Sequence, residues 1–176
     1  MVSAMCRHTR SLRTMQRDNG WIHHLLEEAE NERMHLFVFL RMYEPGRLFR
    51  LLVLVAQGVV FNNFLLLYII SSKTAHRMVG YLEEEAVKTY THCIKELDAG
   101  KIKEWSNLPA SELAIEYWNL PKDAKFRDVL LSIRADEAIH REVNHHFADI
   151  PKDANIEETD VEIDNKKIKK EQNKKE

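Results

Sequence analysis

The fold is decided by the stretch Arg134-Ala135-Asp136-Glu137-Ala138-Ile139-His140, which has an earlier counterpart in Asn31-Glu32-Arg33-Met34-His35. Each stretch contains Glu-x-x-His, a spacing that puts a carboxylate and an imidazole on neighbouring turns of one helix face. One such pair is weak evidence, because both residue types are common on solvated helices. Two pairs on separate helices, with a lone glutamate on a helix between them, are the ligand order of a di-iron carboxylate site in a four-helix bundle.

The composition favours one all-helical domain. The chain has 176 residues, which is long enough to bury a substantial core, and it contains only five Gly and four Pro. A formal net charge of −2 gives no general case for a nucleic-acid partner. The two cysteines, Cys6 and Cys93, make neither a disulfide framework nor a zinc site. Nine histidines are compatible with metal chemistry but do not establish it.

Apolar periodicity predicts five helices, and three glutamates lie on their apolar stripes. The helices are expected over 21–43, 51–70, 73–97, 110–118 and 123–147, with Asp123 as the N-cap of the last. Glu32, Glu83 and Glu137 fall on the inward stripes, where an unpaired carboxylate is costly and a metal-bound one is not. Carboxylate with imidazole suits iron or manganese and lacks the thiolates that favour structural zinc. The alternative is that these residues are exposed and the helices are rotated differently.

The last helix carries a second Glu-x-x-His pair, Glu142 and His145. Its members lie on a more polar side than Glu137 and His140, so we interpret them as a solvated face. Tyr90 follows Glu83 on the same helix face and is either ordinary core packing or a redox-active phenol. Three further side chains, those of Tyr117, Trp118 and Asp136, either orient metal ligands through hydrogen bonds or fill the bundle.

Three segments bear on location. Residues 1–17 hold four arginines and no acid, as in a mitochondrial presequence or in a basic amphipathic helix on an anionic membrane. Residues 51–70 are apolar enough for a membrane span or for a helix partly dipped into one leaflet, and Asn62 and Asn63 count against the span. Residues 151–176 are almost all charged or polar, and we expect a disordered tail.

At these residues the chain resembles the alternative oxidases, the membrane-associated di-iron ubiquinol oxidases of mitochondria. The resemblance runs from Met1 to Asp149 and excludes the tail. It implies a ferritin-like four-helix bundle over residues 1–150, all-α, with extra membrane-facing helices and an incomplete first helix. The matching stretches are Leu25–Leu36, Gly80–Ala86, Arg134–His140, Val143–His145, Tyr117–Leu120 and Phe147–Asp149.

The resemblance implies a role for each matching residue. The metal ligands would be two bridging carboxylates, two histidines and one terminal carboxylate: Glu32, Glu137, His35, His140 and Glu83. Tyr90 matches a tyrosine proposed to carry a radical during oxygen reduction. Positions lining a quinol pocket are matched by Glu85, Ala86 and Thr89. Hydrogen-bonding positions around the site are matched by Asn31, Asp136 and Trp118, with Tyr117 beside them.

The implied reaction is oxidation of two ubiquinols with four-electron reduction of oxygen to water, without proton pumping. It would take place at two non-haem irons on the matrix face of the mitochondrial inner membrane. The first helix and residues 51–70 would seat the enzyme in one leaflet, which makes it monotopic. The implied partners are ubiquinol, oxygen, inner-membrane lipid and a second copy in a homodimer, with no nucleic acid.

One ligand of the family has no counterpart here. The family's sixth ligand is a glutamate in a Leu-Glu-Thr motif, and alignment of the first helix places it several residues before Met1. We therefore expect either a fragment of a normal enzyme or a short, metal-poor and inactive membrane-bound remnant. Another di-iron carboxylate oxidase, such as a plastid terminal oxidase relative, is the rival enzyme class.

Overall fold

The structure, a computed structural model, describes residues 1–156 of the chain and confirms the all-α prediction for them. The only strand-like pairing in that range is an isolated bridge between Pro109 and Lys125. Six α-helices and a 3₁₀ turn at Lys103–Trp105 follow one another in this order: α1 (Val2–Thr14), α2 (Trp21–Met42), α3 (Arg47–Ile70), α4 (Ser72–Asp98), α5 (Glu112–Tyr117) and α6 (Phe126–Asp149).

Local hydrogen bonds set the helix ends. The Ser71 hydroxyl accepts the Thr74 N–H at the start of α4. The predicted N-cap Asp123 is wrong, because α6 begins only at Phe126. The residues before it are held extended by backbone bonds to Leu108 and Ala110. The Lys125 N–H then donates to the Asp128 carboxylate, 2.9 Å away, which caps α6 instead.

The bundle is built around α4 and α6, which pack along most of their lengths; α2 packs against α6, and α1 packs against α2 and α3. Two apolar clusters lie towards opposite ends of α6. The first surrounds Phe126, Leu130 and Ile133, and the second surrounds Trp21 and Phe147. The α6 residues between these clusters include Glu137 and His140, so the candidate ligands sit in a polar layer between two apolar ones.

A close approach of α4 and α6 changes the interpretation of the second Glu-x-x-His pair. A Cβ added to Gly80 would lie 2.6 Å from the ring of His145, so the glycine leaves the space that this ring fills. The His145 ring also contacts Glu84 at 3.1 Å and Arg77 at 2.9 Å. Glu142 is exposed as predicted, whereas the prediction of a solvated His145 is wrong.

Helix α3 is long and apolar enough to cross a membrane, with a mean hydropathy of 2.0 in its most apolar window. Length and composition alone are weak evidence for a span. Of its residues only Tyr68 is buried, so most of its apolar surface has no cover within the described part of the chain. The Asn62 and Asn63 amides donate to carbonyls of their own helix at 2.7 and 2.8 Å, which lowers the cost of placing them in apolar surroundings.

Residues 151–156 return to the bundle. Ile156 is fully buried in the cluster around Trp21, and the Trp21 indole N–H donates to the Ala154 carbonyl at 3.0 Å. Ile156, which we assigned to the tail, therefore contributes to the core, whereas residues 151–153 are exposed. Residues 157–176 lie outside the described residues, so a disordered tail there stays a prediction.

Candidate metal centre

Four side chains from three helices converge in the polar layer. Glu32 of α2, Glu83 of α4, and Glu137 and His140 of α6 each offer one ligand atom, and these atoms lie within 4.8 Å of one another. The helical spacing explains why two of them come from α6, since residues three apart share a face. The cluster is the only such tight group of ligand atoms found within residues 1–156.

His35 stands at the edge of this cluster. Its Nδ1 lies 3.4 Å from Glu137 Oε1 and 3.6 Å from Glu32 Oε2. On the other side, His140 Nδ1 lies 3.0 Å from Glu32 Oε1 and 3.7 Å from Glu137 Oε2. Each Glu-x-x-His pair therefore contacts the other across the α2–α6 interface. The structure brings all five predicted ligands together.

A single carboxylate oxygen organises the surroundings of His35. Asp136 Oδ2 accepts hydrogen bonds from the Asn31 amide at 2.9 Å and from the Trp118 indole at 2.9 Å. It also lies 3.1 Å from His35 Nε2. Because Nε2 is engaged there, Nδ1 of His35 is left to face the cluster, as in carboxylate–histidine–metal arrangements. The Asn31 amide also reaches the Tyr117 hydroxyl at 3.0 Å.

The three glutamates occupy different environments. The Glu137 side chain is 5% exposed and the Glu32 side chain is 44% exposed. Burial and the neighbouring Glu137 raise the pKa of Glu83 to about 9. Burial also opposes ionisation of Glu137, but the nearby His140, His35 and Glu83 outweigh it and lower its pKa. Without a metal, Glu83 therefore holds a proton that it shares with an ionised Glu137.

Both histidines are cationic in the metal-free chain. Burial disfavours the charge of His35, but Asp136, Glu137 and Glu32 outweigh it and raise the pKa to about 11. Burial is likewise overcome at His140, where Glu137 and Glu32 raise the pKa to about 10. These two cations balance much of the carboxylate charge. In the metal-free site, protonated histidines therefore stabilise the neighbouring carboxylates in place of a metal.

Two buried atoms of the predicted ligands lack hydrogen-bond partners. They are Nδ1 of His35 and Oε2 of Glu137. Buried polar atoms of folded proteins nearly always have a partner, so orphaned ones need an explanation. Both face the cluster: Glu137 Oε2 already offers a lone pair, and His35 Nδ1 offers one once its proton leaves. The described residues thus fit a cation bound by carboxylates and imidazoles, without thiolate.

Tyr90 lies close to the cluster on α4. Its ring is half-buried and stacks near Phe39, with 6.4 Å between centroids and 27° between planes. Burial and the charges of Glu137 and Glu32 raise the pKa of its phenol. The phenol therefore keeps its proton at neutral pH and lies within electrostatic reach of the site.

The positions matched to a quinol pocket lie elsewhere on α4. Glu85 lines an apolar surface cavity of about 380 Å³ beside Met78 and Tyr81, and its carboxylate contacts Lys88 at 2.7 Å. Thr89 is exposed, and its hydroxyl donates to the Glu85 carbonyl. Ala86 is half-buried. The structure does not join these three side chains to the carboxylate cluster.

Sequence reasoning gave no role to a buried polar chain beside the site. The Asn144 amide donates to Glu28 Oε1 at 2.9 Å and to the His140 carbonyl at 3.0 Å. Its oxygen lies 3.0 Å from His76 Nδ1, and His76 Nε2 lies 3.4 Å from the Tyr68 hydroxyl. Burial lowers the pKa of His76 to about 4, so the ring is neutral. The spacing of Glu28, one turn before Glu32, was the available signal.

Comparison with known proteins assigns the family. The model of the family described as "Alternative oxidase" matches residues 1–149. A relative named "Alternative oxidase, mitochondrial" from Ajellomyces capsulatus is 59% identical over 85% of this chain and 42% of its own length. One of the same name from Emericella nidulans is 56% identical over 92% of this chain and 46% of its own.

A relative named "Ubiquinol oxidase, mitochondrial" from Batrachochytrium dendrobatidis is 56% identical over 85% of this chain and 46% of its own length. The chain thus spans less than half the length of the curated relatives it matches. The matched residues include both Glu-x-x-His pairs and Glu83, the side chains that converge in the structure. This chain belongs to the alternative oxidase family.

Proposed function

We propose that this chain acts as a ubiquinol oxidase, transferring electrons from ubiquinol to oxygen at a non-haem di-iron centre. The observation that carries the proposal is the convergence of Glu32, Glu83, Glu137 and His140 within 4.8 Å, with orphaned donor atoms among the buried ligands. The names of the relatives support the substrate, because one of them is a ubiquinol oxidase. The resemblance adds that the reaction pumps no protons.

The residues present would divide the work of holding two irons. The carboxylates of Glu32, Glu83 and Glu137 and the ring nitrogens of His35 and His140 would hold the irons. When bound, the irons would supply the electrons that reduce oxygen, and the quinol would replace those electrons. Binding requires that the two histidines and Glu83 give up the protons they hold in the metal-free chain.

Other side chains would control geometry and protons. Asp136 fixes the ring of His35 through Nε2, Asn31 and Trp118 fix Asp136 in turn, and the Tyr117 hydroxyl holds the Asn31 amide. Tyr90 holds a phenolic proton beside the site, which suits a residue that lends one electron and one proton. Glu85, with Ala86 and Thr89 near it, would contact the quinol at the apolar cavity on α4.

The membrane assignment rests on α3. Its apolar side chains are exposed along nearly the whole helix, a state that an aqueous environment penalises and a bilayer does not. A quinol dissolved in the bilayer would then enter from the same side. The relatives are named mitochondrial, and we propose the matrix face of the inner membrane, with α1 and α3 in one leaflet and a homodimer as the assembly.

Quinol-dependent oxygen uptake tests the proposal. The full chain is loaded with Fe(II) without air, incorporated into vesicles and supplied with ubiquinol and oxygen. We expect uptake of one oxygen per two quinols with water as product, loss of that uptake in Glu137→Gln, and its retention in the matched surface variant Glu142→Gln. A hydroxylated product would indicate a different di-iron oxidase, and an iron-loaded chain without uptake would contradict the proposal.

A further inference from the structure

A cavity of about 560 Å³ lies between α1, α3 and the segment that follows α6, and it shares no lining residue with the metal centre. Cationic and apolar side chains predominate in its lining, and Cys6, Thr9, Tyr68 and Ser72 complete it. The cationic ones come from α1 and the segment after α6, and the apolar ones come from α3: Arg7, Arg10, Arg13, Lys152, Leu65 and Ile69. A cavity with one cationic and one apolar wall suits a ligand that has both characters.

Arg7 is the fixed part of the cationic wall. It is 5% exposed, and its Nε donates to Asp18 Oδ1 at 2.8 Å. Its guanidinium lies 4.1 Å from the centroid of the Trp21 ring. Its Nη1 donates to the Lys152 carbonyl at 3.0 Å. This last bond ties the segment after α6 to α1 and so places Lys152 at the cavity.

The remaining cations are less well compensated. Arg10 pairs with Asp153, a carboxylate that is itself 62% exposed. Neither Arg13 nor Lys152 has a carboxylate partner among residues 1–156, and both are exposed. Four cationic groups therefore face two aspartates, which leaves an excess of positive charge. A phosphate group matches this excess, because Arg and Lys are the residues that bind it.

The opposite wall distinguishes a lipid from a free anion. Leu65 and Ile69 are four residues apart and therefore lie on one side of α3, the side that faces the cavity. Ile69 is 69% exposed and continues the bare apolar surface of the helix. A free phosphate gains nothing from such a wall. A phospholipid, with its phosphate next to its acyl chains, fills both walls at once.

We infer that this cavity binds the headgroup of an anionic phospholipid. The phosphate would face Arg10, Arg13 and Lys152, and an acyl chain would run along Leu65 and Ile69. The inference rests on the membrane attachment proposed above and adds to it a lipid class and a binding site. It also explains why residues 151–156 return to the bundle, since this places Lys152 in the cationic wall.

Vesicle binding by the full chain tests this inference. Binding is measured to phosphatidylcholine alone and to equal parts of phosphatidylcholine and phosphatidylglycerol. The variant Arg13→Gln/Lys152→Gln removes the two unpaired cations. The matched control Lys103→Gln/Lys122→Gln removes two exposed cations near the other end of α6. We expect the first variant to bind the mixed vesicles about tenfold more weakly, with unchanged binding to phosphatidylcholine and little effect of the control.

A short-chain lipid separates the cavity from general attraction to a charged surface. Dihexanoyl phosphatidylglycerol below its micelle concentration should bind the wild-type chain in detergent and should bind the Arg13→Gln/Lys152→Gln variant at least about tenfold more weakly. Dihexanoyl phosphatidylcholine and inorganic phosphate should not compete with it. Equal losses in both double variants, or saturation of the site by inorganic phosphate alone, would overturn the inference.

Two further readouts keep the results separable. Unchanged thermal unfolding of both double variants shows that neither has lost its fold. Binding to phosphatidylcholine vesicles without preference for phosphatidylglycerol would leave membrane attachment standing and remove the lipid site. Absence of binding to every vesicle would instead remove the attachment on which the site depends.

Discussion

The two Glu-x-x-His pairs of the metal centre, Glu32/His35 and Glu137/His140, have the same spacing and very different surroundings. On α6, Glu137 is 5% exposed and lies between two cationic histidines. On α2, Glu32 is 44% exposed and contacts the same two histidines from the open side. The difference shows that the motif sets only which side chains share a face. The depth of each carboxylate is set by what packs over the helix.

The largest expected effect is the difference in unfolding free energy between variants of Glu137 and of Glu32 in the metal-free chain. Glu137→Gln removes the buried carboxylate between the two cationic histidines and should cost about 3–5 kcal/mol of unfolding free energy. Glu32→Gln, at a half-open site, should cost about 1 kcal/mol or less. Urea unfolding of metal-free protein measures both, with Glu142→Gln as the control. Equal losses would break the distinction between the pairs.

The two histidines should differ in their response to pH. Their pKa values are raised in the folded chain, to about 11 for His35 and about 10 for His140, from an ordinary value of 6.5. Their contribution to stability is therefore complete below pH 6.5 and is lost as pH rises through 10 and 11. The loss should reach about 3–4 kcal/mol for each ring between pH 7 and 10.

Proton NMR of the metal-free chain identifies which ring titrates first. We expect His140 to lose its proton about one pH unit before His35. His35→Gln should make the fall in stability with pH shallower. Rings that are neutral at pH 8 would contradict this assignment. The protons of the metal-free site would then lie on the carboxylates and not on the imidazoles.

Asp136 should matter more to the α2 pair than to the α6 pair. Its Oδ2 holds His35 through Nε2, whereas His140 has no contact with it. Asp136→Asn should weaken metal binding about 10–100-fold, as is usual when the partner of a ligating histidine is changed. It should also lower the pKa of His35 and leave that of His140 nearly unchanged. Equal shifts at both rings would contradict the assigned geometry.

The smallest effect is expected at Tyr117. Its hydroxyl contacts the Asn31 amide at 3.0 Å on a partly exposed edge of the site. Tyr117→Phe should cost about 1 kcal/mol or less, because Asn31 keeps its bond to Asp136 and can gain a water. Calorimetry of metal-free protein measures this loss. A loss of stability as large as that of Asp136→Asn would mean that the Tyr117 hydroxyl, and not Asp136, determines the position of Asn31.

The sequence was sufficient where a periodic pattern decides the outcome. The long helices and the inward stripes that hold Glu83, Glu137 and His140 follow from apolar spacing. Their convergence could be expected only because two pairs and a lone glutamate occur in bundle order. The ligand roles and the oxidase reaction came from resemblance, and they remain proposals.

The rest depended on contacts between distant segments. His145 is partly buried because Gly80 on another helix makes room for it. The start of α6 is delayed by backbone pairing with residues near Leu108, which overrides the capping preference of Asp123. Ile156 is buried under Trp21, although the residues after it are strongly polar. None of these contacts leaves a periodic signal within its own segment.

The most direct test of the central claim is the iron content of the full chain after anaerobic loading with Fe(II) and removal of unbound metal. We predict about two irons per chain in the wild type and in Glu142→Gln, and almost none in Glu137→Gln. A folded wild-type chain that retains no iron, or equal retention in Glu137→Gln, would contradict the assignment of this cluster as a di-iron site.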